Sequence, residues 1–137
     1  MNTFIVFRVS ASALEAQRQR MNVIASNMAN VHSTRTEEGG PYKRKDVVFS
    51  TLTLELNPVK LEGVQVVDIA KDNTPFKMVY DPDHPDADKD GYVAMPNVNI
   101  IEEMVNMMMA LRTYEASVSA FNISKAMFMK TLEIGRQ

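Results

Sequence analysis

Apolar residues recur at Phe7, Leu14, Met21 and Met28, with Ile24 and Val31 three residues after the last two. That seven-residue spacing lines one face of a helix, so the pattern predicts a long N-terminal helix from about Phe7 to Asn30. Ser10 and Gln17 occupy the alternate seam positions, while Ala11, Ala25 and Ala29 leave room for another helix to approach closely.

Beyond it, Val31 to Pro41 is polar, rich in hydroxyls and closed by Gly39-Gly40-Pro41, which reads as a linker or long loop. The period then shifts to two: Val47 and Phe49, then Leu52, Leu54 and Leu56, then Val64 and Val66, then Phe76, Met78 and Tyr80. These are strand patterns, and they predict a small sheet. The alternation slips between Phe49 and Leu52 and again between Val66 and Val67, which predicts bulges or breaks.

From Asn97 the helical period returns more strongly, through Ile100, Met104, Met107, Leu111, Tyr114, Val118, Phe121, Lys125, Phe128 and Leu132, with Lys125 the one departure from apolar character. At 1.5 Å per residue this is a helix roughly 50 Å long. The N-terminal helix covers about two thirds of that span at its expected length, and Met104, Met107, Met108 and Met109 put apolar side chains on more than one face. Apolar surface should therefore remain for other molecules. The expected architecture is α+β: long terminal helices pair as a coiled-coil-like hairpin around a small β-rich insert. The divisions are 1–36 for the first helix and its loop, 37–97 for the β-rich part and 98–137 for the second helix.

Composition narrows the function. A chain of 137 residues is one ordinary domain, and a net charge of -2 with mixed signs provides no basic stripe for nucleic acid. Cysteine is absent, which removes disulfides, thiolate metal sites and a cysteine nucleophile. No stretch approaches the roughly 20 apolar residues of a membrane-spanning helix, so no bilayer insertion is expected. Phe4 to Phe7 followed by Ala11-Ser12-Ala13 mimics a secretory signal, but the apolar run is short and Arg8 interrupts it, so it reads as retained sequence.

The candidate chemistry is thin. Asp86-Ala87-Asp88-Lys89-Asp90-Gly91 matches the first half of a calcium loop, with oxygens at positions one, three and five and glycine at six. The closing position, however, is Asn97 rather than glutamate, and Pro82 and Pro85 oppose an entering helix. The competing reading is a turn, with aspartates bonding nearby backbone donors and Gly91 supplying a positive backbone angle before a strand at Tyr92 to Met95. No metal or other cofactor is expected. His32 and His84 are far apart in loops, and Ser33 beside His32 lacks a nucleophile elbow, so no enzyme is read here. Lys43-Arg44-Lys45, with Arg35 nearby, is either a surface for an acidic partner or a solvated strand entry. A calcium-responsive helical adaptor and a small hydrolase around His84 are the rival functions.

The stretch from Ser10-Ala11-Ser12-Ala13-Leu14-Glu15 through Val23-Ile24-Ala25-Ser26-Asn27-Met28-Ala29-Asn30 closely resembles the N-terminal signature of the axial proteins of the bacterial flagellum. Gly39-Gly40-Pro41-Tyr42-Lys43-Arg44-Lys45-Asp46, His84-Pro85-Asp86-Ala87-Asp88, Tyr114-Glu115-Ala116 and Thr131-Leu132-Glu133-Ile134-Gly135-Arg136 resemble the proximal rod proteins among them. The resemblance implies a structural subunit of the proximal rod, assembled through its terminal helices into a helical tube that carries torque from motor to hook. It implies as partners other copies of itself, other proximal rod proteins of the FlgB, FlgF and FliE type, the basal-body MS ring and the export gate. It also implies a periplasmic location reached through the flagellar type III export apparatus without a cleaved signal. The expected interface anchors are Leu14, Met21, Ile24 and Met28 on the first helix, with Met104, Met107, Leu111, Tyr114, Val118 and Phe121 on the second.

Overall fold

The computed structural model describes residues 3–56 and 59–135. Helix α1 runs Thr3–Ala29, strands β1 Lys45–Leu56 and β2 Val59–Lys71 form one hairpin, β3 Lys77–Tyr80 and β4 Tyr92–Met95 form a second, and helix α2 runs Ile100–Ile134. The α+β architecture with two terminal helices around a small β part is the one read from the periodicities.

α1 and α2 lie antiparallel. The end of α1 meets the start of α2 at Asn27 and Glu103. At the other end, Phe7 packs against Phe121 and Phe128, with ring centroids 5.1 and 6.4 Å apart. α1 begins four residues earlier than the apolar pattern indicates, so its 27 residues cover more of the 35-residue α2 than the expected two thirds. The early start is physically reasonable because Ile5, outside the seven-residue seam, is buried.

The β1–β2 hairpin lies on a second face of α1. Asn27 bonds to the backbone of Lys45, and Ser12 accepts from the backbone N–H of Val64, the strand partner of Thr51. The rise from Ser12 to Asn27, about 22 Å of helix, matches the about 20 Å of strand from Lys45 to Thr51. β1 therefore runs antiparallel to α1 along its length. Gly63 permits this closeness, since a Cβ there would lie 2.5 Å from Ser12 Oγ.

Two sequence expectations change. The β part is two separate two-stranded sheets rather than one. The register shifts once: Val48 pairs with Asp68 and Phe49 with Val66, so Val67 is the bulged residue, while pairing from Phe49 to Leu52 is continuous. The slip at Val66–Val67 is thus a bulge. The slip at Phe49–Leu52 is a change in which face is apolar, without a register shift.

α2 is capped by its own sequence. Asn99 is extended (φ -102°) and its side chain accepts from Ile101 N–H, with Glu102 and Glu103 in the first turn where the helix dipole favours acids. No described helix is long and apolar enough to cross a membrane.

Candidate assembly surface

Among the described elements α2 packs against α1 alone. The inner seam of α2 is Glu103, Met107, Ala110, Tyr114, Phe121 and Phe128, all buried or half-buried, stepping by four, three or seven. Two residues further along, roughly 200° round the helix, a second seven-residue repeat is exposed: Val105, Met109, Ala116, Ile123, Met127 and Ile134. Met104, Met108 and Leu111 form a further exposed apolar flank. Between the two flanks sit Arg112 with Glu115 and Lys130 with Glu133, paired within the helix at 2.9 and 2.6 Å. A helix with two exposed apolar flanks beside its packed face carries surface that further burial would stabilise.

The anchor residues divide accordingly. On α1, Ile24 is buried and Leu14, Met21 and Met28 are half-buried. On α2, Met107, Tyr114, Val118 and Phe121 are half-buried, whereas Met104 is 53% and Leu111 45% exposed. Glu103 and Ala110, both 0% exposed, stand on the α1 seam where an apolar reading favours Met104 and Leu111.

At the joint of α1, the linker and α2 sits a polar node absent from the sequence reading. Asn27 is 0% exposed and all its side-chain groups are engaged. Its Nδ2 donates to Lys45 O at 2.7 Å and to Glu103 Oε2 at 2.9 Å. Its Oδ1 accepts from Lys45 N at 2.9 Å and from Tyr42 Oη at 3.0 Å. Glu103 Oε1 accepts from Arg44 Nε at 2.9 Å, and Arg44 N donates to Asn97 Oδ1 at 2.7 Å. Burial works against the Arg44 charge, yet the hydrogen bond and charge of Glu103, aided by Asp46, hold the guanidinium above its ordinary value. A buried carboxylate is tolerated only with such partners. The sequence signals are Glu103 on the helical period and Asn27 beside the seam, which an apolar pattern does not select because both are polar.

The basic group divides as well. Arg44 turns inward to Glu103, while the ammonium groups of Lys43 and Lys45 lie over the rings of Phe76 and Tyr42, at 5.9 and 5.6 Å. These lysines, with Lys71 and the Gly39-Gly40 turn, line a half-open crevice of about 470 Å³.

The aspartate loop is a turn. Asp88 Oδ1 accepts from the N–H of Asp90 at 2.9 Å and of Tyr92 at 2.8 Å, and Gly91 has φ +81° immediately before β4. Asp86 turns away to Thr34 and Arg35. Among the described residues no three acidic or histidine side chains converge as a metal site. His84 Nδ1 accepts from the Asp86 N–H, a local turn contact.

Two family models match: Flagella basal body rod protein over residues 7–35, and the C-terminal model of Flagellar basal body rod FlgEFG protein over residues 89–134. The chain is similar over nearly its whole length to proteins named flagellar basal-body rod protein FlgC. That of Borreliella burgdorferi is 42% identical, with 98% of each chain covered. That of Escherichia coli O6:H1 is 45% identical with 96% of each covered. That of Bacillus subtilis strain 168 is 42% identical, over 99% of this chain and 100% of the relative.

Proposed function

Because the chain belongs to the family of the flagellar basal-body rod protein FlgC, we propose that it is a structural component of the bacterial flagellar basal-body rod, built in through its terminal helices. The observation that supports this most directly is α2, which among the described helices and strands packs against α1 alone and leaves apolar residues exposed on two further flanks. Burying those flanks against neighbouring helices yields about 25 cal/mol per Å², so repeated contacts make a rod stiff without covalent links.

On this reading the subunits form a helical tube that passes torque from motor to hook, and the exposed flank at Met104 and Leu111 meets neighbouring subunits. Leu14, Met21, Ile24, Met28, Met107, Tyr114, Val118 and Phe121 hold the helix pair that presents it. The divisions 1–36, 37–97 and 98–137 separate the rod-forming helices from the part carrying both hairpins. Neighbours are further copies and other proximal rod proteins of the FlgB, FlgF and FliE type, with the MS ring and export gate beneath. The site is the periplasmic stretch of the basal body, reached through the flagellar type III export apparatus.

Leu111→Asp tests this. Leu111 is 45% exposed and lies within α2, so the purified variant should stay folded, losing about 1 kcal/mol through helix propensity and its remaining contacts. In cells lacking the parental protein, basal bodies should stop before the rod is complete. Normal rods carrying the variant would overturn the reading.

A further inference from the structure

α2 presents two seven-residue repeats of comparable apolar content. The inner one contains Met107, Tyr114, Phe121 and Phe128; the outer one contains Val105, Met109, Ile123, Met127 and Ile134. Hydrophobic burial is non-directional, so it does not by itself choose which face docks on α1. A repeat of seven also looks alike after a slip of seven. Yet one face and one register bring Glu103 onto Asn27 and Arg44.

We propose that the buried Asn27–Glu103–Arg44 node is a specificity device: it selects the face and register with which α2 pairs with α1, and so decides which apolar repeat is left for partners. With the node in place, Glu103 has both oxygens hydrogen-bonded, to Asn27 and to Arg44. If α2 turned its outer repeat inward, Glu103 would leave both partners and Arg44 would lose its buried carboxylate. A single buried polar position that sets register and partner in paired helices is a well-attested use of such groups. Here the position is tied further, because Asn27 also holds the first residue of β1 by both backbone groups of Lys45. Asn97, which accepts from Arg44 N, anchors the segment before α2 to Asp72 and Thr74. The selection concerns this chain's own helix pair and does not depend on assembly.

The chain has no cysteine, so cysteines introduced at the exposed Ala25 and Ser119 can be spin-labelled without background. Pulsed electron paramagnetic resonance on the dilute full-length chain then reads their separation. A slip of seven residues moves the Ser119 label about 10 Å along α1, and rotation onto the outer repeat carries it across α2, so either gives a separate distance. The parent should give one distance, and Glu103→Gln, which keeps one acceptor oxygen for the two donors Asn27 Nδ2 and Arg44 Nε, should keep that distance as its main population. Arg44→Met/Glu103→Met, which replaces the ion pair with apolar side chains, should stay helical and show a second population at a different separation, shifted by about 10 Å where the helix slips by seven residues. Glu103→Leu is the second variant and should do the same. One native distance in both apolar variants would overturn the proposal. So would loss of helical structure in both, which would make the node a stability element, and so would a broad distribution in the parent.

Discussion

The side-chain amide of Asn27 donates to the carboxylate of Glu103 across 2.9 Å, and solvent reaches neither residue. That bond joins the last turn of α1 to the first turn of α2, with Tyr42 and Arg44 of the intervening linker closing the node. Removing one member leaves buried partners short of bonds, which costs more than the bond is worth in water. Glu103→Ala should lower unfolding free energy by about 2–3 kcal/mol, since Arg44 loses its buried partner but keeps contacts with Asp46 and Asp72. Tyr42→Phe removes one hydroxyl bond to Asn27 and should cost about 1 kcal/mol. Urea unfolding at unchanged m-value measures both. Equal losses would mean that the carboxylate has no special place in the joint.

The contact between hairpin and helix depends on the absence of a side chain at Gly63. A Cβ there lies 2.5 Å from Ser12 Oγ and 3.4 Å from Ser12 Cβ. The hydroxyl cannot simply swing aside without giving up its bonds to Val9 O and Val64 N–H. Gly63→Ala should therefore cost about 1–2 kcal/mol. Adding Ser12→Ala removes the tighter clash, so the double variant should be less destabilised than the two single effects summed. Additive losses in that double-mutant cycle would contradict the contact.

Gln17 occupies a polar position in the α1 seam, and its Oε1 is the one buried side-chain polar atom without a partner among the described residues. An unpaired buried carbonyl costs about 1–3 kcal/mol, and methionine has nearly the same length without the polar atom. Gln17→Met should raise unfolding free energy by about 1 kcal/mol, read as an increased urea midpoint. A lower midpoint would show that the amide is satisfied by something else in solution.

The helices were legible because each carries its period over many turns: α2 begins and ends close to the bounds set by Asn97 and the spacing of Ile100 to Leu132. Strand positions and the bulge at Val67 were legible for the same reason, on a period of two. The pairing of strands was not, because Lys77–Tyr80 and Tyr92–Met95 pair with each other across a loop, and alternation says nothing about a partner. The node was hidden for a different reason. An apolar template shifts the α2 seam by one residue, onto Met104 and Leu111, because methionine and leucine outweigh a glutamate and an alanine. The structure puts Glu103 and Ala110 inside, since Asn27 and Arg44 satisfy the one and the smallness of the other permits close approach. Burial of a charge is decided by partners distant in sequence, which a local pattern does not contain.

The last prediction concerns the loop that resembles half a calcium site. Asp86 Oδ2 accepts from Thr34 Oγ1 at 2.9 Å, and its other oxygen pairs with Arg35, tying the loop between β3 and β4 to the linker after α1. Hydrogen bonds from Thr34, then Arg35, hold the Asp86 carboxyl below the ordinary aspartate value. A depressed folded-state pKa means that the tether favours the fold above the unfolded value of about 3.9 and is lost as pH falls through the lower, folded value. NMR titration should therefore give Asp86 a midpoint below about 3.9. Amide exchange at Ala87 and Asp88 should quicken once that midpoint is passed, after allowance for intrinsic exchange rates. Asp86→Asn removes the carboxylate at every pH, so its loop should already exchange faster at neutral pH and respond little to acid. A midpoint at or above the ordinary value, or an Asn variant as protected as the parent, would show that the loop is held by its internal Asp88 turn alone.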